Sequence, residues 1–225
     1  MTITFLDLYN EVAGQPWSMF DADAESMDDL ESSLRISINK ATSYLWNLYP
    51  WSFRKNISKI RTKAGKAEYD LPIGLLQRKT IDGSQRYGIK YNNKFLSYRD
   101  DYEVLDNIEE TSGEPTDFYI DGDKLYIYPT PDDTYTISIS YLSATYSQSE
   151  DEEDKFSFTE DSDILNIPEK YEEIFKNCVI SLSMLYAIAD ETDENYSGYQ
   201  RQYDDALQIL MKYCKDSIVD KYIVW

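Results

Sequence analysis

Apolar residues recur at helical spacing near both ends of the chain. At the start, Thr4 and Asp7 form a capping-box pattern, and Gly14 supplies a stop signal about one short helix later. A longer stretch begins near Ser26 and ends before Pro50, with apolar residues three and four positions apart. The N-terminal part of the sequence therefore predicts two amphipathic helices.

The middle of the chain changes to alternation of apolar and polar positions. The segments 124–128 and 135–141 alternate in this way, which is typical of half-buried strands. Asp121-Gly122 comes before the first of them and indicates a two-residue hairpin turn. We expect roughly five to seven antiparallel strands here, in a small sheet or sandwich.

The last third begins with an acidic stretch and ends with helical periodicity. Residues 147–163 contain eight acids and one lysine, and we expect them to form a loop. Pro168 suits the first position of a long helix, and an acidic turn near Thr192 leads into a final helix. The two helices are expected to form an antiparallel hairpin, in which Cys178 and Cys214 lie too far apart to bond and fill core positions as free thiols.

The composition excludes several kinds of reaction and metal site. The 225 residues include no histidine and two cysteines, which excludes histidine-based nucleophilic catalysis, histidine-ligated metals, and the usual four-cysteine zinc and iron–sulfur sites. The first twelve residues lack the basic segment of a signal peptide, and no apolar run is long enough to cross a bilayer, so we expect neither export nor membrane insertion.

The charge is distributed unevenly along the chain. Residues 52–100 carry twelve basic and four acidic side chains, a net +8, in a protein whose total is −20, so the remainder carries −28. Such a molecule is a poor general binder of nucleic acid or anionic lipid. A basic middle and acidic ends are suited to an acidic protein partner, including another copy of the same chain.

The remaining candidate motifs favour ordinary structural roles. In the glycine-containing segment 83–90, Ile89 stands where a phosphate-binding loop requires lysine. Asp21, Asp23 and Glu25 have the early spacing of a calcium loop, but its glycine and final glutamate are missing. No pair of carboxylates is singled out for acid–base catalysis, and most of the 21 tyrosines fall at inward positions. We expect no enzymatic activity, cofactor or metal.

Several loose motifs occur in a distinctive order. They are a segment with two tryptophans and one proline at the end of the N-terminal helices, a Tyr-Asp-Leu-Pro segment, a Pro-Thr-Asp-Phe-Tyr-Ile segment, a Tyr-x-Tyr-Pro-x-Pro hairpin, and an Ile-Pro helix start, at 46–53, 69–72, 115–120, 125–131 and 167–168. Over residues 5–213 the sequence resembles the head-to-tail connectors, or tail adaptors, of tailed bacteriophages. It is similar to tail tubular protein A-like adaptors of short-tailed phages and to ring proteins of crAss-like phages.

The resemblance implies an α+β fold, with a helical bundle built from both termini and an inserted antiparallel β-sheet or sandwich domain. On this basis the N-terminal helices of the bundle, the inserted β-domain, the acidic loop and the C-terminal helical hairpin are assigned to residues 1–50, 51–146, 147–165 and 166–225.

The resemblance also implies a non-enzymatic virion protein at the head–tail junction, made in the cytoplasm of the bacterial host. Such proteins form a ring, usually of twelve copies, beneath the portal protein, contact other tail or ring proteins, and extend the channel through which genomic DNA passes without specific binding. The candidate interface residues are the basic cluster and the apolar C-terminus: Arg54, Lys55, Lys59, Arg61, Lys63, Lys66, Ile223, Val224 and Trp225.

Two other functions remain open from the residues alone. The strong negative charge is compatible with an acidic DNA mimic that inhibits a nucleic-acid-binding protein, although the basic block counts against it. The tyrosine-rich strands are compatible with a non-catalytic β-sandwich module that binds glycans through exposed aromatic rings. The apolar C-terminus has its own alternative, a frayed end or a strap over the protein's own core.

Overall fold

A computed structural model describes residues 2–15, 27–76, 88–99, 111–188, 192–193 and 195–214. The chain divides into two compact units. The helical unit joins Met1–Phe53 to Ala144–Asp220, and the β unit is Arg54–Ser143. The unit boundaries therefore fall at 53/54 and 143/144, against 50/51 and 146/147 in the sequence-based division.

The described residues contain both helices and strands, which confirms the α+β class. The helices are α1 (Phe5–Ala13), α2 (Met27–Leu48), α3 (Glu169–Ile188) and α4 (Tyr196–Cys214), with a short 3-10 helix at Ser52–Arg54. The strands are β1 (Lys55–Arg61), β2 (Glu68–Asp70), β3 (Leu75–Leu76), β4 (Gly88–Tyr91), β5 (Lys94–Phe95), β6 (Ser97–Tyr98), β7 (Ser112–Gly113), β8 (Asp117–Asp121), β9 (Lys124–Tyr128), β10 (Thr130–Pro131), β11 (Thr136–Ser143), β12 (Ser147–Gln148), β13 (Asp154–Lys155) and β14 (Ile164–Leu165).

The capping box predicted for α1 is present. Thr4 Oγ1 accepts a hydrogen bond from the Asp7 backbone N–H at 3.0 Å, and the Thr4 N–H donates to the Asp7 carboxylate at 2.9 Å. Phe5, Leu8 and Val12 on one side of the helix are buried. The first helix therefore starts where the sequence predicts and buries its periodic face.

An aromatic cluster forms the centre of the helical unit. Trp46 packs against Phe53 and, edge-on, against Phe175, with ring centroids 5.4 and 6.2 Å apart. Trp51 stacks on Phe53 at 5.7 Å. Offset and edge-to-face pairs of this kind each add about 0.5–1.5 kcal/mol beyond the area that they bury. The segment 46–53, which begins in the last turn of α2, thus packs in the core of the helical unit.

The helical hairpin predicted for the C-terminal part is present as α3 and α4, which pack against each other. Cys178 lies on α3 and Cys214 at the end of α4, neither forms a disulfide bond, and both lie inside the core of the helical unit. Burial raises the pKa of Cys178 to about 12 and that of Cys214 to about 11. Both therefore act as small apolar core residues, as expected.

The acidic segment differs from the expectation of a loop. Its strands β12, β13 and β14 form an antiparallel sheet in the order β13-β12-β14. Phe158 is buried and stacks on Phe5 at 5.0 Å. The Asp163 carboxylate accepts hydrogen bonds from Lys155 Nζ at 2.6 Å and from the Thr159 and Glu160 N–H groups at 2.6 and 3.0 Å. These anchors order a segment whose composition is typical of a loop.

The β unit consists mainly of two sheets, largely antiparallel, that share one apolar core. One sheet has the order β1-β11-β4-β5, with β3 also pairing with β11, and the other has the order β2-β9-β8-β6. The sequence left a small sheet or a sandwich open, with five to seven strands, and the described residues of the unit form eleven strands, β1 to β11. The shared core consists of Tyr69, Ile89, Leu96, Phe118, Ile120, Leu125, Ile127, Ile137, Ile139 and Tyr141. Two short pairings, β6 with β8 and β7 with β10, are parallel.

The hairpin between β8 and β9 is shifted by one residue from the predicted turn. Asp121 pairs with Lys124, so the two loop residues are Gly122 and Asp123. Gly122 has φ of 58°, in the left-handed region that glycine adopts without strain. The glycine was correctly placed in the turn, but Asp121 belongs to the strand.

Candidate interaction surfaces

The basic cluster identified from the sequence lies mostly on strand β1. Lys55, Lys59 and Arg61 are exposed and occupy alternate positions, so their side chains share one face of the sheet. The intervening Ile60 packs toward the core of the β unit. In the described residues β1 pairs only with β11, so it forms an edge of its sheet.

Arg54 lies apart from the other basic residues because it is buried, with 1% of its surface exposed. Its Nε donates a hydrogen bond to the Ser143 carbonyl oxygen at 2.8 Å, which joins the first and last residues of the β unit. Burial lowers the pKa of Arg54 to about 10, and the guanidinium stays charged at neutral pH. This side chain holds the unit together, and we remove it from the candidate interface.

Lys63 and Lys66 are exposed on the turn that follows β1, beyond the sheet. The Lys63 N–H donates to the Tyr69 hydroxyl at 3.0 Å, and this hydroxyl donates to the Lys66 carbonyl at 2.6 Å. Gly65 between them has φ of 76°. The turn is thus fastened through its backbone. The Lys63 side chain is exposed, and Lys66 Nζ lies 5.4 Å from the centroid of the Tyr69 ring.

Strand register brings further residues to the face on which Lys59 and Arg61 lie. Lys59 pairs with Ser138, Ser138 pairs with Lys90, and Lys90 pairs with Phe95, so these four side chains point to the same side of the sheet. Lys90 Nζ lies 4.3 Å from the centroid of the Phe95 ring. We call this the outer sheet face and define it by its large side chains: Lys55, Ile57, Lys59, Arg61, Lys90 and Phe95.

The outer sheet face combines exposed apolar and basic side chains. Ile57 and Phe95 are each 66% exposed. Between the large side chains lie small ones, since Ile57 pairs with Ser140 and Ser140 pairs with Gly88. A Cβ added to Gly88 would stand 2.9 Å from both the Cβ and the carbonyl oxygen of Ser140, so glycine is required for this close approach. The middle of the outer sheet face therefore lies below the large side chains around it.

Among the described residues, no acidic side chain neutralises the outer sheet face. The described strands place no Asp or Glu on it, and within the described ranges none of its four cations takes part in an ion pair. Elsewhere in the β unit, Arg99 does pair with Asp117 at 2.9 Å. The outer sheet face thus carries four positive charges that have no counterion among the described residues of the unit.

The turn between β12 and β13 has the opposite character. Glu150, Asp151, Glu152 and Glu153, which we call the acidic turn, are all exposed. Hydrogen bonds fix its backbone: the Ser149 N–H donates to the Glu153 carbonyl at 3.0 Å, and the Glu152 N–H donates to the Ser149 carbonyl at 3.0 Å. Glu152 has φ of 61°, which is uncommon outside glycine and asparagine. The four carboxylates are held on an ordered, projecting turn.

An acidic cleft of about 380 Å³ lies between α1 and the start of α3. Lys176 reaches Glu11 at 3.3 Å and Glu173 at 3.2 Å, while Asp7 caps α1. Burial opposes the charge of Lys176, but its hydrogen bonds to these carboxylates outweigh burial and raise its pKa. The cleft is therefore explained by helix capping and ion pairing within the helical unit.

A shallow groove of about 240 Å³ in the β unit includes Tyr91 and Phe95. Exposed aromatic rings in a groove are what a glycan-binding module requires. The Phe95 ring, however, carries Lys90 Nζ over its face. One face of this ring is therefore occupied by an ammonium group.

The described parts of the chain gather no group of three or more metal-ligating side chains. Within the same ranges, none of the helices is both long and apolar enough to cross a bilayer. The candidate calcium acids Asp21, Asp23 and Glu25, the glycine at position 83, and the C-terminal candidates Ile223, Val224 and Trp225 lie outside the described residues.

Sequence reasoning missed three members of the outer sheet face: Ile57, Lys90 and Phe95. Alternation within β1 was a signal for Ile57, because it stands two residues from both Lys55 and Lys59. Lys90 and Phe95 join the face only through the pairing of β11 with β4 and of β4 with β5. Pairing between distant strands leaves no such local signal.

Comparison with known protein families gives a match over nearly the whole chain. The family described as SU10 adaptor protein matches residues 3–220. Comparison with curated proteins gives no match. The family match covers both the helical unit and the β unit, so it concerns the architecture as a whole.

Proposed function

We propose, since the chain belongs to the SU10 adaptor protein family, that this phage adaptor forms a closed ring beneath the portal protein and joins the capsid to the tail. The family assigns the coarser role, that of a structural adaptor of a bacteriophage virion. The ring, with about twelve copies by analogy with connectors, and the contact with the portal are our proposal. In this ring the copies would surround the channel through which genomic DNA leaves the head.

The observation that carries the proposal is the match to an adaptor family from residue 3 to residue 220. The surfaces of the chain support it physically. A closed ring of identical copies is built by a heterologous contact, in which two different surfaces of neighbouring copies meet. The outer sheet face and the acidic turn are unlike surfaces with opposite charge.

The net charge of −20 also suits a DNA channel. A wall with excess carboxylates repels phosphate groups, so duplex DNA passes without being held. Synthesis in the host cytoplasm, incorporation at the head–tail junction and contact with further tail or ring proteins belong to the same proposal.

Virions provide the direct test. Electron cryomicroscopy of purified particles should show a ring at the portal vertex whose density fits both units of this chain. We also expect a chain lacking Ile218–Trp225 to fold but not to join particles, if the apolar C-terminus is the contact with the portal or an adjoining ring.

A chain shortened at the other end is the matched control, because removing the first two residues deletes no apolar C-terminal side chain. Particles that incorporate the C-terminally shortened chain normally would contradict the role of Ile223, Val224 and Trp225. A portal vertex without density for this chain would contradict the ring itself.

A further inference from the structure

We propose that the outer sheet face of one copy binds the acidic turn of a second copy. This inference rests on the ring proposed above and identifies the two surfaces that meet in it. The outer sheet face comprises Lys55, Ile57, Lys59, Arg61, Lys90 and Phe95, and the acidic turn comprises Glu150, Asp151, Glu152 and Glu153.

The first support is the balance of charge. The outer sheet face carries four cations, and the acidic turn carries four carboxylates. Within the described residues none of these eight groups forms an ion pair in its own chain, whereas Lys155, two residues beyond the turn, is held by Asp163 at 2.6 Å. The outer sheet face thus offers positive charge and the acidic turn negative charge, and neither is compensated within the described residues.

The second support comes from the apolar side chains. Ile57 and Phe95, each 66% exposed, stand among the cations of the outer sheet face. Phe156 is 59% exposed and follows β13, three residues after the acidic turn. Protein interfaces combine apolar contacts with a charged rim. This combination favours a protein partner over duplex DNA, whose phosphate backbone has little use for exposed isoleucine or phenylalanine.

The third support is the rigidity of both surfaces. The outer sheet face belongs to paired strands, and its middle is low because Gly88 and Ser140 approach closely. The acidic turn is fixed by hydrogen bonds around Ser149, including a bond from the Glu153 N–H to Ser149 Oγ at 3.1 Å. Little conformational entropy is lost when two ordered surfaces associate.

The test uses two full-length variants that remove charge with little change in shape. The face variant is Lys59→Gln with Arg61→Gln, and the turn variant is Asp151→Asn with Glu152→Gln. We expect wild-type protein to self-associate in sedimentation velocity at low salt, and each variant alone to associate roughly tenfold more weakly or worse. Added salt should weaken the wild-type association because the contact is electrostatic.

Mixing the two variants gives the sharpest readout. The face variant keeps an intact acidic turn, and the turn variant keeps an intact outer sheet face. In an equimolar mixture, one intact contact can therefore form per pair, between the face of the turn variant and the turn of the face variant. We expect the mixture to associate with wild-type affinity but to stop at dimers. Neither variant alone should give these dimers.

Matched controls keep the charge change and move its position. Lys63→Gln with Lys66→Gln removes two cations from the adjoining turn, and Asp204→Asn with Asp205→Asn removes two exposed acids from α4. Both controls should self-associate like the wild type. If they weaken association as much as the test variants, general charge explains the effect and the proposed pairing is wrong.

Other outcomes would also overturn the pairing. These are a wild-type protein that stays monomeric at all concentrations, test variants that associate like the wild type, and a mixture that gives no dimers. Binding of a short DNA duplex that is lost in the face variant, with self-association unchanged, would assign the face to nucleic acid instead. The ring has its own readout, since particles that contain a ring built from either test variant would refute this pairing and leave the ring intact.

Discussion

The helical unit and the β unit use their side chains differently. The helical unit surrounds one thick core, in which Trp46, Phe53 and Phe175 pack ring against ring. The β unit buries a thinner layer of aliphatic residues such as Ile137 and Ile139 between two sheets, and leaves Ile57 and Phe95 exposed on the other side of one of them. The core of the helical unit is therefore organised around contacts between aromatic rings, and that of the β unit around aliphatic packing between its sheets.

The two units also bind their buried charged side chains in different ways. Asp163 in the helical unit is surrounded by hydrogen-bond donors on one short segment. Arg54 in the β unit makes a long-range bond to Ser143 across the base of the unit. One charge organises a local loop, and the other joins the two ends of an inserted segment.

The largest expected effect is on the aromatic core. Phe175→Ala removes a fully buried ring that contacts Trp46 and Phe53, and should reduce the free energy of unfolding of the helical unit by about 3–5 kcal/mol. Urea unfolding followed by circular dichroism gives the size of the loss. Hydrogen exchange read by mass spectrometry shows whether the loss is confined to the helical unit.

Tyr213→Ala is the control, because this aromatic residue of α4 is 61% exposed and its removal should change stability by less than about 0.5 kcal/mol. If Phe175→Ala accelerates exchange equally in the strands of the β unit, the two units unfold together and the contrast between them is weaker than we describe.

The second effect depends on pH and concerns Asp163. Burial alone would raise the pKa of this carboxyl, but the hydrogen bonds from Lys155, Glu160 and Thr159 outweigh it and leave the pKa below its usual value. The folded pKa is thus depressed, so the stabilisation is complete above the unfolded value of about 3.9 and is lost as pH falls through the folded pKa.

Asp163→Asn should therefore cost about 2–3 kcal/mol at pH 7, and the difference from the wild type should shrink as pH falls below about 4. Urea midpoints at pH 7, 5 and 3 measure this trend. Asp151→Asn on the acidic turn is the control, since Asp151 is exposed and takes part in no ion pair among the described residues. A difference for Asp163→Asn that is the same at pH 3 and pH 7 would show that its charge is unimportant.

The smallest effect compares two neighbouring cations. Arg54→Ala removes a buried side chain and its bond to Ser143, and should destabilise the β unit by about 1.5–3 kcal/mol. Lys55→Ala removes an exposed side chain and should change stability by less than about 0.5 kcal/mol. Thermal unfolding of the two variants decides the matter. Equal losses of stability would mean that the buried Arg54 contributes no more to stability than the exposed Lys55.

Much of the fold was predictable because its signals are local. The capping box at Thr4, the periodic helices and the alternation around Lys124–Tyr128 depend on residues within a few positions of one another. The order in the acidic segment was not predictable, because Phe158 is anchored by Phe5, far away in the sequence. A composition typical of loops was overruled by a few tertiary contacts.

The candidate site shows the same limit. The charge of the basic cluster was visible in the sequence, but the burial of Arg54 was not, since it depends on packing and on the bond to Ser143, 89 residues away. Lys90 and Phe95 reach the outer sheet face through strand pairing, which depends on the whole sheet. The sequence showed the sign of the charge on the surface, and the structure showed which residues form that surface.

The pairing of Lys55 with Leu142 has a consequence for folding kinetics. Helices α2 and α3 pack together although the whole β unit separates them in the chain. If the β unit folds first, its two ends are already neighbours, and the loop between the helices shortens from about 120 residues to about 30, those of 49–53 and 144–168. This would spare about 1 kcal/mol of loop-closure entropy in the docking step. The insert would then act as a clamp that speeds assembly of the very helices that it interrupts.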